Sequence, residues 1–227
     1  GSIEQVKKYL KKNTDDNNSL KRQFCPTTII SKIYEDKKLL SQKHAIKNSK
    51  VLAFNTAFDR TEMRFNDSKK NFVEACEVIK IARDLGWKII VCSHKDVDRE
   101  IESILDDLGV AYSIKNLTRS SSEEIINFYA QIDLSIGMRG HSQMIPFGLN
   151  KPIFSMISHD KVKFFLDDLE LSDYGAEMDD DDFVSKSQKY LNEFDDNKKN
   201  IIKKISDAQD KIWNETKENF REIKKLI

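Results

Sequence analysis

Five short apolar runs, each linked to the next by a stretch with helical spacing, constrain the fold of this chain more than any other feature. The runs are residues 51–54, 87–92, 110–114, 134–136 and 152–156. They are mostly apolar rather than strictly alternating, which suits strands buried on both faces of a sheet. Between them the spacing predicts helices. The first starts at Asp67 or Ser68 and runs to about Leu85, with Phe72, Cys76, Ile79 and Ala82 or Arg83 at core spacing. Gly86 ends it as a left-handed cap. Residues 97–108 form the next, closed by Gly109. Ser121 with Glu124 is a capping box for a helix to Gln131. A short helix over 141–147 ends at Gly148, and another covers 161–169. Strands alternating with helices across short turns give right-handed crossovers and a parallel sheet covered on both faces.

The flanks read differently. Residues 1–50 are polar, with helical spacing at 3–12, a break at Cys25-Pro26-Thr27-Thr28, and a short helix over 29–40. Gly1-Ser2 reads as the remnant of a cleaved tag. Residues 51–173 form the α/β domain. Residues 174–227 form C-terminal helices with Phe183, Tyr190, Leu191, Ile201, Ile205 and Trp213 on the apolar face. The acidic run at 179–182 reads as a solvated helix start.

Composition narrows the function classes. Among 227 residues, 38 Lys and Arg balance 38 Asp and Glu, so nothing global favours nucleic acid or an anionic membrane. No apolar run reaches the ~20 residues that span a bilayer. Cys25, Cys76 and Cys92 provide neither a disulfide framework nor a zinc-ligand pair, which points to the reducing cytoplasm. Cys76 lies on a core face, and nothing near Cys92 activates a thiolate. No glycine-rich dinucleotide or phosphate-loop signature is present, and no cofactor is expected. His94 with Asp96 and Asp98 is too short a cluster, lacking a second nearby His, to read as a metal site. His44 sits in polar sequence and reads as a surface residue.

In open parallel sheets, ligands bind where strand ends lead into helix N-termini. Three loops of that kind carry cations: Arg60 and Arg64 after the first strand, Arg139 and His141 after the fourth, His159 and Lys161 after the fifth. Such convergence describes an anion site. The sharpest is Gly137-Met138-Arg139-Gly140-His141. An Arg here can grip a carboxylate or phosphate at two points, and a His can exchange a proton near neutral pH. The structural alternative has Arg139 paired with a neighbouring acid and His141 capping the helix.

The stretch from Ile132 through Gly137-Met138-Arg139-Gly140-His141, then Phe147-Gly148-Leu149-Asn150-Lys151-Pro152-Ile153, Asp160-Lys161-Val162 and Phe165 to Leu169, resembles the polysaccharide pyruvyl transferase family. The match covers roughly residues 51–171, and more loosely Cys25-Pro26-Thr27. Gly140 stands where the family usually has Leu, and Ser158 where many members have Tyr. The resemblance implies half of a two-domain fold of the two-Rossmann glycosyltransferase type. It also implies transfer of pyruvate from phosphoenolpyruvate to a glycan or lipid-linked sugar as a ketal. By position, Arg139 would bind the anionic donor, His141 would be the acid or base, and Lys161 would be a further anion contact. Arg60, Arg64, Ser158 and His159 complete the candidate donor site. Family members carry an N-terminal Rossmann domain of comparable size, so the resemblance also implies a longer parent. A nucleotide-sugar donor domain, with Glu170 or Asp173 holding ribose hydroxyls, is one alternative. A binding module docking a partner through residues 197–227 is another.

Overall fold

The computed structural model describes residues 22–34 and 50–225. The strands are β1 Lys50–Asn55, β2 Trp87–Ser93, β3 Ser113–Asn116, β4 Leu134–Gly137, β5 Ile153–Ile157 and β6 Gly175–Glu177. All pair in parallel, in the order β3-β2-β1-β4-β5-β6. This is the strand order of the doubly wound Rossmann fold. The helices are α1 Ile30–Ile33, α2 Thr61–Arg64, α3 Ser68–Asp84, α4 Ile101–Asp107, α5 Ser122–Ala130, α6 Gly140–Gly148, α7 Asp160–Asp167 and α8 Phe183–Lys224.

The apolar runs are buried on both faces as their composition demands. Along β1, Leu52 and Phe54 enter one core with α3, α4, α7 and α8. Val51 and Ala53 enter the other, with Tyr129 of α5, Ile145 of α6 and Ile30 of α1. At about 25 cal/mol per Å² of apolar surface, such two-sided burial is the main force holding the sheet together.

Where the structure departs from the sequence-based expectations, local hydrogen bonding gives the reason. β3 begins at Ser113, not Val110. Gly109 takes φ +63°, its N–H bonds to Asp106, and the Val110 N–H bonds back to Leu105. Val110 therefore belongs to the helix cap, and pairing with β2 starts three residues later. Similarly, α6 runs through Gly148, and Asn150 takes the left-handed position at φ 62°. Gly148 serves packing instead: a Cβ there would lie 1.8 Å from the Thr27 carbonyl oxygen. The helix expected over 97–108 splits into a 3-10 turn, Asp96–Glu100, and α4. β6 was not foreseen, and it extends the sheet past residue 173.

At the N-terminal side, Pro26–Ile29 is a 3-10 turn leading into α1. The predicted helix at 3–12, the part of the 29–40 helix beyond 34, and His44 lie outside the described residues. The C-terminal helices are one continuous helix. α8 has 42 residues, about 63 Å at 1.5 Å per residue. Its buried positions Leu191, Phe194, Ile201, Ile205, Ala208 and Ile212 recur at steps of three, four or seven residues, a single stripe. Polar ties fix its length: Tyr190 donates to the Ile153 carbonyl at 3.0 Å, Lys198 pairs with Asp133 at 2.9 Å, and Ser31 donates to Gln209 at 2.7 Å. Most of its apolar face is thus covered by its own chain, while Phe220 and Ile223 remain exposed. Asp182 precedes α8 and pairs with Lys186 at 2.9 Å. Among the described residues, no helix is long and apolar enough to cross a membrane.

Candidate anion site at the strand ends

β1 and β4 are neighbours, yet the chain leaves them toward opposite edges of the sheet, to β2 and to β5. The crevice at their carboxyl ends is the switch point where open α/β sheets place ligands. Asn55, the last residue of β1, is fully buried and builds this crest. Its side-chain Nδ2 donates to the Cys92 carbonyl at 2.9 Å, and its side-chain Oδ1 accepts the Arg139 backbone N–H at 3.3 Å. Gly137 is required beside it, because a Cβ there would lie 2.5 Å from Ser142 Oγ. The turn from β4 into α6 is therefore locked onto the end of β1.

Above the crest lies a recess of about 300 Å³ lined by Arg64, His94, Lys95, Arg139, Gly140, His141, His159 and Lys161. Three loops identified from sequence converge here, joined by a fourth at the end of β2. Arg139 is held by acids. Its Nε donates to Asp98 at 2.8 Å and its Nη2 to Asp59 at 2.8 Å, with a further short contact to Asp98. Asp98 is 1% exposed and also accepts the backbone N–H groups of His94 and Lys95 at 3.1 and 3.0 Å. Asp59 additionally accepts from Lys95 Nζ at 2.7 Å. Burial opposes its charge, but the hydrogen bonds from Lys95 and Arg139 hold its carboxyl well below the usual carboxylate range. Three of the four permanent cations, Arg64, Lys95 and Arg139, pair with these two carboxylates. Lys161 is exposed and has no ion pair among the described residues.

The three histidines are kept neutral to different degrees. Burial pushes His94 down to about 4, with Asp98 opposing and Arg139 and His141 reinforcing. Its Nε2 is 2.8 Å from the hydroxyl of fully buried Tyr129. Loss of solvent and the Lys161 charge lower His141. Burial, then Arg64 and Lys161, lower His159, whose Nδ1 is buried without a hydrogen-bond partner. Positive surroundings and electrically neutral imidazoles make a site that gains from an arriving anion.

Of the residues singled out from sequence, Arg64, Arg139, His141, His159 and Lys161 line the recess. Ser158 is buried behind it and accepts from Arg64 Nη1 at 3.3 Å. Arg60 does not line it; it is exposed, before α2. Arg139 is both paired with acids and at the recess wall, so both sequence-based readings of it describe part of the geometry. His141 does not cap α6; it is exposed in the first turn, and Arg139 occupies the cap position without a side-chain cap bond. His94 and Lys95 were missed as site residues, although their position just after β2 was the available signal. Asp98 is committed to Arg139 and two backbone amides, and no cluster able to hold a metal is found among the described residues. Cys76 and Cys92 are buried, which pushes both thiols up to about 12. Asp173 lines a different groove, beside α8, and Glu170 is exposed at the end of α7; neither lines the recess.

No family model matches the sequence, and comparison with curated proteins returns no match. Among solved structures, an O-GlcNAc transferase mutant from Thermobaculum terrenum aligns with a TM-score of 0.45 and 12% identity. The alignment covers 78% of this chain and 36% of that one, so the chain spans about a third of that protein's length.

Proposed function

We propose that the strand-end recess is the donor site of a transferase and that its donor is phosphoenolpyruvate, whose pyruvyl group passes to paired hydroxyls of a glycan or lipid-linked sugar. The observation that carries this reading is the convergence of Arg64, Lys95, Arg139 and Lys161 with three imidazoles in one small recess at the switch point. A three-carbon ligand bearing phosphate and carboxylate matches that charge in a volume of about 300 Å³. A nucleotide-sugar would need more room and a carboxylate for its ribose, and Glu170 and Asp173 stand elsewhere.

The residues fit distinct roles. Arg139, anchored by Asp98, presents its guanidinium edge as a fixed electrostatic wall. Lys161, without an ion pair among the described residues, meets the phosphate. The donor's negative charge offsets the Lys161 field that lowers His141, so the imidazole gains a proton as the donor binds. His141 then protonates the methylene carbon, a sugar hydroxyl attacks the adjacent carbon, and the phosphate leaves with its bridging oxygen as a second hydroxyl closes the ketal. The attacking hydroxyl passes its proton to His141, replacing the one given to the new methyl group, the second hydroxyl's proton leaves on phosphate, and His141 releases its extra proton to water once the phosphate has gone.

Calorimetric titration of the chain with phosphoenolpyruvate, inorganic phosphate and a uridine diphosphate sugar tests the assignment. Phosphoenolpyruvate should bind most tightly, and Lys161→Ala should weaken it by roughly tenfold or more. Preferential binding of the nucleotide-sugar would overturn the donor assignment.

A further inference from the structure

Asp59 differs from every other acid near the recess. Its side chain is 22% exposed, and its partners are the recess cations themselves: Arg139 Nη2 at 2.8 Å, Lys95 Nζ at 2.7 Å and Arg64 Nη2 at 3.7 Å. Asp98, in contrast, is buried and tied to backbone amides, as a structural acid should be. A carboxylate held by two cations at hydrogen-bond distance, with a third nearby, has the surroundings that a bound ligand's carboxylate would have. The Asp59 backbone is held, its carbonyl accepting from Arg64 Nε at 3.0 Å and Phe58 before it stacking on Phe72, but among the described residues its carboxylate has the cations as its partners. Asp59 lies between β1 and α2, the next residue Arg60 is left-handed at φ 58°, and α2 is a single turn with no buried residue. A left-handed non-glycine residue is strained, and the exchange needs only the Asp59 side chain to turn away from the cations.

We propose that Asp59 is the charge-selecting residue of the recess: its carboxylate occupies the subsite between Arg139 and Lys95 that a ligand's carboxylate takes over on binding. The inference rests on the anion-site reading and adds a selection rule to it. A monoanion entering this subsite replaces a charge that was already there, attached to the chain and free of any association cost. It therefore gains almost nothing. A ligand with a second anionic group engages Lys161 as well, and that surplus drives the exchange. The recess accordingly takes compact molecules carrying a carboxylate and a phosphate together, and rejects simple carboxylates.

Titrations of the 227-residue chain with pyruvate, inorganic phosphate and phosphoenolpyruvate, on wild type and Asp59→Asn at one pH, provide the test. Wild type should bind phosphoenolpyruvate at least about a hundredfold more tightly than pyruvate. Asp59→Asn removes the competing charge but keeps its shape, and should tighten pyruvate and phosphoenolpyruvate alike by roughly tenfold. Unchanged pyruvate affinity in the variant, or weaker binding of all three probes, overturns the proposal; the latter would make Asp59 an organiser of the cations. If wild type binds phosphoenolpyruvate in those cases, the anion site itself stands. If neither protein binds any probe, both readings fall. Should the variant not fold, the carbon-13 carboxyl resonance of Asp59 in wild type decides: it should move on saturation with phosphoenolpyruvate, and a stationary resonance contradicts the exchange.

Discussion

At the scale of single residues, Arg139 and His141 lie two positions apart and have opposite structural obligations. Arg139 bonds Asp98 and Asp59 at once, and Asp98 is 1% exposed. Removing the guanidinium leaves a buried carboxylate with backbone amides as its remaining partners, an uncompensated charge that costs about 3–5 kcal/mol. Arg139→Ala should therefore be strongly destabilised in chemical denaturation, and loss of donor binding in that variant would mix unfolding with recognition. His141 is exposed and makes no cap bond, so His141→Ala should stay within about 0.5 kcal/mol of wild type. Its turnover in an active protein should fall about 10²–10⁴-fold, the usual worth of a positioned acid or base. Arg64, Arg139 and Lys161 could be read from sequence because they follow strand ends, whereas Lys95 was missed. Their acids could not: Asp59 and Asp98 lie 80 and 41 residues from Arg139, and only the sheet order brings them together. His94 drew attention in the sequence only as a metal candidate, because its partner Tyr129 is 35 residues away.

At the scale of elements, the join between α6 and the Pro26–Ile29 turn is the tightest backbone approach in the fold that depends on a glycine. Gly148→Ala places a methyl group 1.8 Å from the Thr27 carbonyl, far inside van der Waals contact, with backbone rather than a flexible side chain in the way. The variant should lose about 1–3 kcal/mol or more, measurable as a lower denaturation midpoint, because one of the two segments must shift. A neutral effect would mean this docking is loose. The alternation of β1 to β5 with helices could be read from apolar runs and caps, since those signals are local. β6 could not, because Gly-Ala-Glu has no apolar run and is defined only by pairing with β5. Nor could the continuity of α8, whose polar stretches between buried positions read as breaks until a single stripe meets the core.

For the molecule as a whole, the neutral imidazoles link stability to pH. His94 has an ordinary value of 6.5 and is held at about 4 in the fold. Between those values the unfolded chain binds the proton and the folded chain does not, so stability is fully present above pH 6.5 and falls as pH drops toward 4. The loss from this one group is on the order of 3 kcal/mol. His141 and His159 are lowered too and add in the same direction. Denaturation across this window should show the decline, and His94→Gln should flatten part of it; a stability independent of pH there would mean the imidazoles are solvated.

The same imidazoles report on the site's purpose. Lys161 helps to lower both His141 and His159, and an anion bound in the recess must offset that field. Nuclear magnetic resonance titration of the histidine rings, with and without saturating phosphoenolpyruvate, measures this directly. The account predicts that both titration midpoints move upward when the ligand is present. Superimposable curves at saturating ligand would contradict an anion site at the ends of β1, β2, β4 and β5.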